Sequence, residues 1–69
     1  MNKHKYALGS LVLGKNSNAL GYIQEHTENF YGDLYYSIYW FKDQYISHSV
    51  GEKQVEDCIK WYKEKYEQT

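Results

Sequence analysis

Apolar and polar residues alternate in short runs over the first fifty positions, and this pattern predicts a small β-sheet. A period of two, bounded by Gly, Asn and Asp, is typical of strands that bury one face. The runs predict strands at residues 6–13, 19–26, 34–41 and 45–48. Polar segments at residues 15–18, 27–33 and 42–44 supply the turns between them.

The third predicted strand is apolar on both faces, which is unusual for an antiparallel sheet. Even positions 34–40 place Leu, Tyr, Ile and Trp on one face, and odd positions 35–41 place Tyr, Ser, Tyr and Phe on the other. We expect a central strand, with the core on one side and either the helix or a partner protein on the other.

The period changes after residue 50, and a C-terminal helix is predicted over about residues 50–67. Ser49 and Glu52 match the S-x-x-E capping box, in which the Ser side chain accepts a backbone hydrogen bond. Apolar residues recur at helical spacing on one stripe: Val55, Cys58, Ile59, Tyr62 and Tyr66. Lys and Glu alternate on the remaining surface, as on a solvated helix face.

Length, charge and cysteine content narrow the class of protein. Sixty-nine residues predict a single domain, residues 1–69, with strands in 6–50 and the helix in 51–67. One cysteine, Cys58, allows no internal disulfide and indicates a reducing compartment. The net charge is −1, and all eight basic residues are Lys. No secretion leader and no membrane-spanning segment is predicted.

Three short motifs carry a family resemblance: G-S-L-V at residues 9–12, G-Y-I at 21–23 and Y-S-I-Y-W at 36–40. This series resembles SH3-like barrels of the KOW and Tudor type, and is most similar to small SH3-like proteins of tailed bacteriophages. The resemblance covers about residues 8–50. It implies a mainly β fold, a small SH3-like antiparallel barrel of four to five short strands, followed here by the helix. KOW modules are usually basic, whereas this chain is not.

No constellation of catalytic or metal-binding residues is predicted. His26 and His48 lie at strand ends and can approach each other, but scattered histidines are typical of surface positions. Cys58 lies on the apolar helix stripe, which indicates a small buried side chain rather than a nucleophile. The carboxylates lie in loops or alternate with Lys on the helix. We therefore predict no catalytic residue, no metal and no cofactor, and a protein that is not an enzyme.

Aromatic residues are the one conspicuous group, since nine Tyr, two Trp and two Phe exceed the needs of one small core. Those on the odd face of the third strand either pack under the helix stripe or remain exposed to bind a partner. Both interpretations can hold for different residues. The predicted partner-binding residues are Tyr22, Tyr31, Tyr35, Tyr39 and Phe41.

These features favour a non-enzymatic protein-interaction module, encoded by a phage and acting on a host protein or within a particle. The implied location is the host cytoplasm or the virion. A small domain with spare apolar surface also favours a homo-oligomer. The alternative is a nucleic-acid accessory protein that uses stacked Tyr with Lys3, Lys5, Lys15 and Lys42. The absence of Arg and of net positive charge disfavours it.

Overall fold

The computed structural model describes residues 3–15 and 18–67 and shows four antiparallel strands followed by one helix. The elements are β1 (Leu11–Leu13), β2 (Leu20–Glu28), β3 (Leu34–Trp40), β4 (Tyr45–Gly51) and α1 (Glu52–Tyr66). The strands form one sheet in the order β1-β2-β3-β4. The predicted mainly β fold with a C-terminal helix is confirmed at this level.

The sheet is open, so the predicted SH3-like barrel is not confirmed. β1 and β4 are the two edges of the sheet, and a barrel would require them to pair. Helix α1 follows β4 directly and packs most extensively against β1. The helix, rather than a further strand, therefore covers the core face of the sheet.

Two β-bulges at Ser37 bend the middle of the sheet. In β2, Gln24 is an extra residue between the register pairs Ile23↔Ile38 and Glu25↔Ser37. In β4, two residues face Ser37, because Tyr36 pairs with Val50 and Ile38 pairs with Ser47. Bulges increase local twist and bend a strand, and here both neighbours of β3 carry one at the same level.

Strand lengths differ from the predicted ones where turns or pairing intervene. β1 begins only at Leu11, because the chain turns at Gly9, whose φ is 85°, and the Ser10 amide donates to the Ala7 carbonyl. β2 continues to Glu28 and β4 to Gly51. The Gly14 amide donates to the Ala19 carbonyl across the first hairpin. Of the predicted turn at residues 15–18, Asn16 and Ser17 lie outside the described residues.

The core lies between the even-numbered face of β3 and the helix. Its fully buried side chains, from the first three strands and α1, are Val12, Ile23, Tyr36, Ile38 and Val55. The predicted even face of the third strand is therefore the core face. Helix α1 adds Cys58 and Ile59 at the edge of this cluster, as the helical spacing predicts.

The helix cap differs from the predicted capping box. Gly51 is the N-cap residue, and its amide donates to Oε1 of Gln54 at 3.1 Å. Ser49 lies inside β4 with a left-handed φ of 56°. The predicted cap at Ser49 is wrong because the pairing of β4 with β3 continues to Gly51, two residues beyond it.

Candidate functional site

Three aromatic side chains meet on the odd-numbered face of the sheet. Tyr22 of β2 and Tyr39 of β3 are register partners, with ring centroids 5.7 Å apart. Phe41 follows β3, and its ring centroid lies 5.6 Å from Tyr22 and 5.7 Å from Tyr39. These separations are typical of interacting aromatic rings. We call Tyr22, Tyr39 and Phe41 the outer aromatic cluster.

The helix packs on the other side of the sheet from this cluster. Val55 of α1 lies in the core with Tyr36 and Ile38, whose side chains alternate with Tyr39 along β3. Tyr6 of the N-terminal segment also packs against the core cluster. The interpretation that the helix stripe covers the odd face is therefore wrong, and the alternative of an uncovered aromatic surface fits the structure. Phe41 is 45% exposed.

Apolar neighbours extend the outer aromatic cluster across three strands. The Leu20 carbonyl accepts a hydrogen bond from the Phe41 amide, and Ile46 of β4 is the register partner of Tyr39. Both side chains are partly exposed. Neither these two residues nor the three of the cluster carry a charge. Charged residues flank this surface along the chain: Glu25 lies along β2, Lys42 and Asp43 follow Phe41, and all three are exposed.

The other two predicted partner-binding residues lie elsewhere. Tyr35 shares the odd face of β3, but four residues, or about 13 Å of strand, separate it from Tyr39. It pairs with Thr27 and Gly51 at the opposite end of the hairpin. Tyr31 is 89% exposed in the β2–β3 loop. The structure thus brings together three of the five predicted residues.

The β2–β3 loop presents a second aromatic pair that the strand pattern did not predict. The ring centroids of Phe30 and Tyr31 lie 5.7 Å apart, and Phe30 is 88% exposed. Asn29 orders the loop, because its Oδ1 accepts hydrogen bonds from the amides of Tyr31 and Asp33. Loop residues follow no period, so sequence alternation gives no signal for Phe30. Leu20 and Ile46, by contrast, could have been assigned to the outer face from the alternation of side chains along their strands.

Two of the three histidines stack on each other. His26 stacks on His4 with centroids 4.3 Å apart and nearly parallel rings. The Nε2 atom of His26 lies 2.6 Å from the Tyr6 carbonyl oxygen. His48 instead faces Ser37, with Nδ1 and Oγ 3.4 Å apart. Residues 3–15 and 18–67 contain no group of three or more side chains arranged to hold a metal ion.

Tyr36 ties the N-terminal segment to the helix. Its buried hydroxyl donates to Oε2 of Glu52 at 3.0 Å and accepts from the Tyr6 amide at 3.3 Å. Its ring stands nearly perpendicular to the rings of His4 and His26, in edge-to-face contact with each. Burial, aided by the Glu52 carboxylate, raises the pKa of the Tyr36 phenol above its ordinary value. The phenol is therefore a neutral structural hydrogen-bonding group at physiological pH.

Cys58 lies in surroundings unsuited to a nucleophile. It packs at the edge of the core, and burial raises the pKa of its thiol, with a further contribution from the negative charge of Asp57. A reactive cysteine needs the opposite shift, toward the thiolate. The sequence-based interpretation of Cys58 as a small buried side chain is met in part, because Cys58 packs against the core but is only half-buried.

A surface groove runs along the helix, away from the outer aromatic cluster. It has a volume of about 740 Å³ and runs beside Tyr6, and its lining consists mostly of Lys and Glu side chains of α1. Lys53 pairs there with Glu56 at 3.4 Å. Such exposed ion pairs contribute little to the stability of the fold. The groove is therefore interpreted as a solvated helix face.

The fold and the outer aromatic cluster define the class of this protein: a small open sheet covered by one helix, with an uncharged aromatic surface on the uncovered face. In the described residues, no helix combines the length and the apolar character needed to cross a bilayer. Comparison with known proteins gives no match among family models, curated proteins or solved structures.

Proposed function

We propose that this protein is a non-enzymatic interaction module that binds a partner protein through the outer aromatic cluster. The observation that carries the proposal is the position of helix α1, which packs on the face of Tyr36 and Ile38, opposite the partly exposed Tyr39 and the exposed Phe41. Partly exposed, mutually packed Tyr and Phe side chains are typical anchors of protein interfaces.

The rigidity of the surface supports the proposal. Tyr22 and Tyr39 are held by paired strands, and the Phe41 backbone is fixed by its hydrogen bond to Leu20. Anchors that are ordered before binding lose little conformational entropy when a partner docks. Binding a partner through aromatic rings on a well-paired sheet therefore has a smaller entropic cost than binding through the same rings on a mobile segment.

The phage origin belongs to the proposal and rests on the sequence motifs alone. The G-S-L-V, G-Y-I and Y-S-I-Y-W series resembles SH3-like proteins of tailed bacteriophages. On that basis, the partner is a host protein or another component of the phage particle, and the open sheet is a relative of the SH3-like barrel.

The distribution of the lysines disfavours the nucleic-acid alternative. Lys3 lies 3.4 Å from Glu28 and Lys5 lies 4.0 Å from Glu56, so carboxylates already accompany both. Lys15 lies beside the Trp61 ring on the helix side of the molecule. Of the four lysines considered, Lys42 is the one that adjoins the outer aromatic cluster. A backbone-binding groove would need several cations along one surface.

The test is quantitative capture of bacterial proteins on the immobilised wild-type chain and on two variants. Phe41→Ala removes an anchor of the outer aromatic cluster. Tyr66→Ala is the matched control, because Tyr66 has a similar exposure, 52% against 45%, but lies at the end of the helix. We expect at least one protein to be retained by wild type and Tyr66→Ala and to be lost about tenfold or more with Phe41→Ala.

Circular dichroism of each variant checks that the fold is kept. If all three chains retain the same proteins in equal amounts, the outer aromatic cluster is not the binding surface. If the wild-type chain retains no protein from either uninfected or phage-infected bacteria, the proposal of a heterologous partner fails.

A further inference from the structure

We infer that His4 and His26 form a pH-sensitive latch, which holds the N-terminal segment, residues 3–7, on the sheet at neutral pH and releases it at mildly acidic pH. The latch lies on the core side of the sheet, because His26 is the register partner of the buried Tyr36. It is therefore separate from the outer aromatic cluster. Three features of the structure support it: the hydrogen bonds of the two rings, their stacking, and the charges around them.

The two imidazole rings tie the N-terminal segment to the sheet through backbone carbonyl groups. The Nε2 atom of His4, on the segment, lies 2.8 Å from the Thr27 carbonyl oxygen and 3.1 Å from that of Tyr35. In the opposite direction, Nε2 of His26 in β2 lies 2.6 Å from the Tyr6 carbonyl oxygen. A carbonyl oxygen can only accept, so each Nε2 atom carries a proton and donates it. A further proton on either ring must go to Nδ1, and it makes that ring a cation.

The stacking brings the two rings so close that a charge on both is unfavourable. Their centroids lie 4.3 Å apart, and their planes are within 3° of parallel. The Tyr36 ring contacts both, and both histidines are half-buried, so water screens the pair only in part. Two neutral rings, or one neutral and one charged ring, can stack in this way, whereas two imidazolium ions at this distance repel each other. The latched pair therefore accepts one proton more readily than two.

The charges around the pair do not provide a counter-ion for each ring. The charged and titratable groups nearby come from the segment, β2, β3 and α1: Lys3, Lys5, Glu28, Tyr36, Glu52 and Glu56. Each lysine of the segment lies beside a carboxylate, Glu28 at 3.4 Å and Glu56 at 4.0 Å, so these charges offset one another. The neutral Tyr36 phenol donates to the remaining carboxylate, Glu52, at 3.0 Å. That carboxylate can offset one imidazolium ion, but not two.

Acidification therefore favours detachment of the N-terminal segment. Once the rings are apart, each histidine takes up its proton independently, over the ordinary imidazole range near about pH 6.5. The latched pair binds fewer protons than the separated rings, so below that range each unit of pH favours the detached state by up to about tenfold. Tyr6, which packs against the core cluster, leaves with the segment. The core side of the fold then exposes an apolar surface in acid that is covered at neutral pH.

Hydrogen exchange of the Tyr6 amide tests the latch on the full chain. This amide donates to the Tyr36 hydroxyl at 3.3 Å and is exposed when the segment detaches. Between about pH 7.5 and about pH 5, above the ordinary range of carboxyl groups, we expect its protection factor to fall about tenfold or more. The Gly14 amide, which donates to the Ala19 carbonyl in the first hairpin, should keep its protection. His26→Phe retains a ring but removes the second charge, so the protection factor of Tyr6 should change less than about twofold over the same range.

His48→Gln is the matched control, because His48 is an exposed histidine outside the pair, with its Nδ1 facing Ser37. This variant should respond to pH like wild type. If His26→Phe does not fold, an NMR titration of the three histidine rings in the wild-type chain gives the same information. His4 and His26 should take up protons in two separate steps, and His48 in one.

A protection factor of the Tyr6 amide that does not change with pH overturns the latch, and so does a His26→Phe variant that responds to pH as wild type does. The same single-step titration for all three histidines overturns it as well. None of these results affects capture of a bacterial protein at neutral pH by the outer aromatic cluster, which decides the proposed function separately.

Discussion

Gly21 is the position at which a single methyl group should most clearly disturb the sheet. It lies in the middle of the sheet, paired with Val12 of β1 and Trp40 of β3. A Cβ atom at this position would lie 2.5 Å from the Tyr39 carbonyl oxygen and 2.8 Å from Cε3 of Trp40. The first of these atoms belongs to the backbone of a paired strand, so β3 itself must shift to admit an Ala side chain.

The expected change in the free energy of unfolding follows from two opposing effects of Gly21→Ala. Overpacking a well-packed interior costs about 1–3 kcal/mol, and a clash with backbone favours the upper part of that range. Restricting the unfolded chain returns about 0.4–1 kcal/mol. We expect a net loss of about 2 kcal/mol in the free energy of unfolding, equivalent to a fall of about 8–16 °C in melting temperature.

Urea unfolding followed by circular dichroism measures this loss, with Gly51→Ala as the matched control. A Cβ atom at Gly51 would find its nearest neighbour, Oε1 of Gln54, at 3.8 Å, and the Gly51 φ of −70° suits any residue. At Gly51, Ala restricts the unfolded chain, which stabilises the fold, but it is a weaker N-cap residue, which destabilises the helix. We therefore expect the free energy of unfolding to change by no more than about 0.5 kcal/mol. Equal stability of Gly21→Ala and Gly51→Ala would refute the close approach of Gly21 to the Tyr39 carbonyl and the Trp40 ring.

Two further predictions concern a phenol and a backbone conformation. Because the raised pKa of Tyr36 means that the folded state holds the phenol proton more tightly, stability is undiminished below the ordinary pKa of 10.0 and falls as pH rises through the raised folded value. Tyr36→Phe should lose about 1 kcal/mol at neutral pH and show a shallower alkaline fall in urea titrations at pH 9 to 12; an unchanged alkaline slope would contradict the pKa shift. Because Ser49 has a φ of 56°, Ser49→Gly should be about 1 kcal/mol more stable than Ser49→Ala in thermal unfolding. An equal stability of those two variants would mean that the left-handed conformation of Ser49 is not costly.

The local pattern predicted the secondary structure because periodicity records which side of an element is buried. A period of two predicted the four strands, and the even face of β3 is the core face. A period near 3.6 predicted the helix and the burial of Val55. The cap at Ser49 was wrong because the end of β4 depends on pairing with β3, which lies outside the capping motif.

Closure of the sheet could not be predicted from the strands themselves. A barrel and an open sheet have the same alternation, and they differ in whether the edge strands β1 and β4 meet. The contact between α1 and β1 decides that question here. The two bulges at Ser37 are likewise a matter of register between strands, which the residue types of one strand do not specify.

The sequence by itself determined that aromatic residues exceed the core and that β3 carries them on both faces. Alternation assigns side chains to two faces, but it does not say which face the helix covers. The tertiary structure decided that α1 packs on the even face, because Val55 completes the cluster around Tyr36 and Ile38. It also decided that Tyr22, Tyr39 and Phe41 meet, because strand pairing sets their neighbours, while Tyr31 and Tyr35 lie at the far end of the hairpin.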